Sequence, residues 1–142
     1  HTIQGLGSLS TNLTIRTGSI TTLASNHKIK NLNINSGGTF DISDRFLSVS
    51  GGITNEGTFL TGNSTIEYNG TTSQGLTTTN VNYKNIIINN PAGVSLGGNL
   101  TLNDTISLIS GDLNIFSNTL LFRQQLISLK VQAILSPEIH HI

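Results

Sequence analysis

The chain has no cysteine, which excludes a disulfide framework and any thiol chemistry. It has no methionine either. Translation starts on Met, so His1 is expected to be a processed end or a cut within a longer chain. Charge is scarce and cancels, with seven acidic and seven basic residues in 142. Nucleic acid and anionic membrane surfaces both demand a basic face, so neither is expected as the main partner. No apolar run approaches the roughly 18–20 residues of a membrane span, and no signal peptide is read. Ala, Glu and Lys, the common residues of helix surfaces, are few.

What is present has one bias. There are 19 Thr, 17 Asn, 16 Ser and 15 Gly, with 18 each of Leu and Ile. Thr and Ile suit pleated, half-buried surfaces, and Asn, Ser and Gly suit turns. This is an all-β composition, and its charge-poor hydroxyl and amide surface suggests an extracellular or cell-surface setting. The clearest stretch is Val94–Phe122, with the units Val94/Leu96, Leu100/Leu102, Ile106/Leu108, Leu113/Ile115 and Leu120/Phe122. Each is a short strand with one apolar face, and Gly, Asn, Asp and Ser turns separate them. Upstream, Leu13/Ile15, Leu32/Ile34, Phe40/Ile42, Leu47/Val49 and Ile66/Tyr68 repeat the pattern. A weaker polar region, Asn69–Asn80, interrupts it before Val81/Tyr83 and Ile86/Ile88.

The units recur at a fixed period. Leu13 to Leu32, Phe40 to Phe59, Leu47 to Ile66, Val81 to Leu100 and Val94 to Leu113 are each 19 residues apart. Ile20 to Phe40, Ile66 to Ile86, Ile86 to Ile106 and Leu100 to Leu120 are each 20. Three short strands in 19–20 residues predict a coiled parallel sheet of roughly seven turns, with stacked apolar columns inside. The runner-up, a β-sandwich, calls for longer strands spaced 8–12 residues apart.

Asn85–Phe122, and more loosely Asn12–Val49, resembles the β-helical repeat regions of bacterial secreted adhesins and surface proteins. These include filamentous-haemagglutinin-like proteins and autotransporter passengers. The resemblance implies a right-handed parallel β-helix in an exported structural or adhesive protein.

The solenoid is expected over residues 1–118, with a divergent segment over 119–142. No glycine follows Gly111, and Ile127, Leu129, Val131 and Ala133 alternate with polar residues as in an amphipathic strand. A helix through Ile127, Val131 and Ile134 is the alternative. The segment is expected either to cap the last turn or to pair with another subunit; a third reading makes it a fragment boundary. The assembly residues would be Leu120, Phe122, Ile127, Leu129, Val131 and Leu135. The first functional expectation is therefore a non-enzymatic subunit that polymerises through its ends into an extracellular filament or stalk. The second is an adhesin segment binding glycans through the Thr/Asn faces or Tyr68 and Tyr83.

The third is a polysaccharide-cleaving enzyme. The only compact charged group, Asp41, Asp44 and Arg45, would carry it, but the period sets Leu60 or Thr61 one turn beyond Asp41, so a stacked second carboxylate is missing. Calcium at Asn103-Asp104 or Gly111-Asp112 would find a single carboxylate at each, where it usually takes several. His140 and His141, adjacent in a strand, would point to opposite faces, against a site shared with His1 or His27. No metal or cofactor is expected. Five N-x-S/T sequons, at Asn12, Asn63, Asn69, Asn99 and Asn103, are close to what composition alone produces.

Overall fold

A computed structural model describes residues 2–3 and 11–123. Strand β1 (Thr2–Ile3) precedes the first full turn, β2 (Leu13–Ile15), β3 (Ile20–Leu23) and β4 (His27–Ile29). The second turn is β5 (Leu32–Ile34), β6 (Thr39–Asp41) and β7 (Phe46–Val49). The third is β8 (Ile53–Asn55), β9 (Thr58–Leu60) and β10 (Thr65–Tyr68). The fourth has only β11 (Gln74–Leu76) and β12 (Asn85–Asn89). The fifth is β13 (Val94–Leu96), β14 (Leu100–Leu102) and β15 (Thr105–Ser110), and β16 (Leu113–Asn114) and β17 (Leu120–Phe122) open the sixth.

Among the described residues every strand pairing is parallel and joins a strand to its counterpart one turn away. The chain is thus an all-β parallel solenoid of about six turns, without helix among the described residues. Dividing the whole length by the period gives seven; residues 124–142 lie outside the described part. All five strands read in Val94–Phe122 are present, and the register runs on to Phe122 through Leu100↔Leu120 and Leu102↔Phe122.

Three faces enclose the core. Face three, β4-β7-β10-β12-β15, is unbroken. Its inward columns are His27–Leu47–Ile66–Ile86–Ile106 and Ile29–Val49–Tyr68–Ile88–Leu108. Face one is split into β2-β5-β8 and β11-β13-β16, and face two into β1-β3-β6-β9 and β14-β17. Within face two Phe40 and Phe59 stack with ring centroids 5.7 Å apart. One expected column is corrected: Ile20 lies opposite Thr39, and Thr21 opposite Phe40. A one-residue shift reverses every side chain, and Ile20 accordingly points outward, 65% exposed.

Both breaks coincide with the polar stretch 69–84, where five residues rather than two to four separate β10 from β11. Backbone groups that lose a ladder partner there are met by buried side chains. Gln74, 4% exposed, stands inward above Val94. Its Nε2 donates to the carbonyls of Val49 (2.9 Å) and Gly51 (2.6 Å). Its Oε1 accepts from Gly70 N (2.7 Å) and Asn90 Nδ2 (2.8 Å). Asn90 Nδ2 also donates to Thr72 O, and Asn55 Nδ2 to the carbonyls of Thr79 and Asn80. Nearby, the fully buried Tyr68 and Tyr83 hydroxyls are 2.7 Å apart, and Tyr83 OH donates to Thr77 O at 2.9 Å. Since the single proton of Tyr83 goes to Thr77, Tyr68 is the donor of the pair.

Two predictions follow from this seam. Gln74→Leu removes the side-chain partner of Gly70 N and of Gly51 O, while Val49 O keeps Asn69 N and Asn90 Nδ2 keeps Thr72 O, and is expected to cost roughly 3 kcal/mol in urea unfolding. Burial raises both tyrosines above their ordinary value near 10; their mutual contact works against it at Tyr68 and with it at Tyr83. A raised folded pKa in a group that becomes anionic gives stability that is complete below pH 10 and is lost as pH rises beyond it. Unfolding free energy is therefore expected to fall above pH 10, by up to ~1.4 kcal/mol per pH unit for each tyrosine. The Tyr68→Phe/Tyr83→Phe double variant should flatten that part of the profile; an equal slope in wild type and variant would contradict the assignment.

Candidate functional site

Three places were open to function in the sequence: the last turns, the Asp41–Arg45 group and the tyrosines. The core is least buried in the first and last described turns. The half-buried apolar residues packed against the core are Ile3, Leu13, Ile115, Leu120 and Phe122, all in the first or last described turns. Leu120 and Phe122 thus face the core from the outermost strand of face two, while Leu121 between them points out, 57% exposed. Ile127, Leu129, Val131 and Leu135 lie outside the described residues. Ile109 is turned outward by a bulge: Ile88 pairs with Leu108 but Asn89 with Ser110, so Ile109 is the extra residue.

Asp41 and Asp44 line one open groove of about 530 Å³, with Ser43, Leu60, Thr61, Asn82 and Asn103 among its other residues. Asp41 sits opposite Leu60 on the next turn, as the period required. Its Oδ1 accepts from Ser43 N (2.8 Å) and Ser43 Oγ (3.0 Å), holding Ser43 at φ 46. Asp44 Oδ1 accepts from Asn63 N at 3.3 Å, and Thr61 Oγ1 donates to Asn82 O at 2.5 Å. These polar groups secure corners of the coil, and Arg45 is exposed. Asp104, weighed above as a calcium ligand, forms an ion pair with Lys84 at 3.5 Å.

The tyrosines are not available to a ligand, because both are fully buried. The exposed aromatic is Phe116, at 67%. It occupies the turn between β16 and β17 at φ 48, a left-handed conformation that costs an aromatic residue of order 1–2 kcal/mol. Asn114 Oδ1 accepts from Phe116 N (3.0 Å), and Asn118 Nδ2 donates to Leu96 O (3.2 Å), so two asparagines fix this turn. Phe116 borders a groove of about 340 Å³ over Gly93. The signal for it in the sequence was the adjacent pair Ile115-Phe116: successive strand positions face opposite sides, so only one can enter the core.

Among the described residues, no three or more His, Asp or Glu side chains group closely enough to hold a metal ion. His27 is buried at the first turn, with Nδ1 3.3 Å from Ser25 O. No described helix is long and apolar enough to cross a membrane. Comparison with protein-family models, with curated proteins and with solved structures gives no match. The class that geometry defines is the parallel β-solenoid, a fold found in enzymes and in structural proteins alike.

The corner role of Asp41 is testable. Asp41→Ala should lower stability by about 1 kcal/mol through loss of the Ser43 turn, while Asp41→Asn, which keeps an acceptor oxygen, should cost less. Urea titrations of the two variants check the order; equal losses would show that the acceptor oxygen contributes nothing.

Proposed function

We propose that the chain is a non-enzymatic extracellular structural protein whose subunits stack end to end into a filament or stalk. The observation that supports this reading best is the confinement of half-buried core residues to the first and last described turns. In a solenoid the apolar core is a column, and only its end turns lack a neighbour on one side. A second copy stacked there would extend the Leu100–Leu120 and Leu102–Phe122 columns by one turn.

The backbone would be joined in the same way. Among the described residues β15, β16 and β17 are the outermost strands at one end, and β1, β2 and β4 at the other. Outer strands carry unpaired N–H and C=O groups, and strand addition satisfies them. Such a head-to-tail contact is heterologous, so it propagates wherever its rotation does not close a ring. The alternating Ile127, Leu129 and Val131, with Leu135, would supply further apolar surface to the junction. The charge-poor surface of Thr, Ser and Asn suits the extracellular setting.

Negative-stain electron microscopy of the purified chain is expected to show long fibres of uniform width, and deletion of Leu126–Ile142 is expected to leave short isolated rods. Isolated rods from the intact chain at high concentration, or fibres from the truncated one, would overturn the proposal.

A further inference from the structure

We propose that the groove beside Phe116 is a binding subsite for a neutral saccharide. The groove opens on a side face of the last described turns, and the inference does not require end-to-end stacking. A sugar ring presents an apolar C–H face and a rim of hydroxyls. It is held best by an exposed ring plane flanked by short hydrogen-bonding side chains. The groove offers both. Phe116 is held outside the core by its left-handed backbone and by Asn114. Ser73, Ser95, Asp112 and Asn114 line the same groove, and its volume of about 340 Å³ falls within the ~300–1,000 Å³ of small-molecule sites.

Four features separate this groove from the larger one at Asp41. First, three of its four polar side chains are uncommitted: Ser73, Ser95 and Asp112 make no hydrogen bond or ion pair among the described residues, whereas Asp41, Asp44 and Thr61 each secure a turn. Second, its one charge is a carboxylate and no Lys or Arg lines it, so it disfavours phosphates, sulfates and uronic acids. Third, Gly75, Ser95 and Asn114 stack in register on the outer surface of face one. A Cβ built at Gly75 meets nothing within 4 Å, so a polymer leaving Phe116 along the axis finds an open track. Fourth, β13 is paired on both sides, so the part of the groove floor that it forms offers an extended peptide no backbone edge to join.

The test is ligand-observed saturation-transfer NMR, which reads binding to single subunits and to filaments alike. The probes are hexasaccharides of glucose, mannose and N-acetylglucosamine, with hexagalacturonate and an apolar unstructured peptide as competitors from other classes. At least one neutral hexasaccharide is expected to bind saturably. Phe116→Ala should weaken it tenfold or more and Asp112→Asn severalfold, while Leu121→Ala, on another face, leaves it unchanged. Should Phe116→Ala disturb the turn, Phe116→Asn removes the ring with a residue that tolerates positive φ. The proposal is overturned if no neutral hexasaccharide binds at millimolar concentration, if the Phe116 variants bind as well as wild type, or if hexagalacturonate or the peptide is preferred.

Discussion

The backbone ladder between successive turns is the constraint on which everything else in this molecule depends. A turn of three short strands cannot satisfy its own N–H and C=O groups, so each is met one turn away, as in Leu32 N to Gly52 O and Glu56 N to Ile34 O. The pairing fixes the register, and the register decides which side chains stack. Apolar residues then form continuous inward columns because each lies over its counterpart about 4.8 Å away. Stability is accordingly a matter of neighbours, and a turn is only as secure as those on either side.

That rule explains why the molecule places amides in its interior at one level and almost nowhere else. Where stretch 69–84 departs from the register on two faces, the ladder fails, and orphaned carbonyls in a core are costly. Gln74, Asn90 and Asn55 substitute for the missing strand partners, and Tyr68 and Tyr83 form a second short relay to Thr77 O. Face three keeps its ladder throughout, so the two halves of the coil remain one body.

The fold was legible because a strict repeat records itself in spacing: Leu13/Leu32, Phe40/Phe59 and Ile66/Ile86/Ile106 are true neighbours in the columns. Two expectations failed where phase was the issue: Ile20 was set over Phe40 by a spacing of 20, and Tyr68 and Tyr83, though each belongs to an alternating apolar pair, were also offered to glycans. A one-residue change of phase decides between inside and outside. The period alone does not carry that phase where turns vary in length. Ile20 and Phe116 went out, and the tyrosines went in with a hydroxyl partner that no spacing rule encodes. The groove beside Phe116 was illegible for the same reason, since it is assembled from the separate corners at Ser73, Ala92 and Asp112.

The unequal continuity of the three faces also gives the coil a mechanical direction. Face three is a continuous spine, and the opposite two faces are interrupted at the same height. Flexing toward or away from the spine works against side-chain amides at that level, while flexing anywhere else along the axis works against uninterrupted ladders. The molecule is built like a stiff rod with one compliant joint, whose bending plane is set by the spine and whose resistance is concentrated in Gln74 and Asn90.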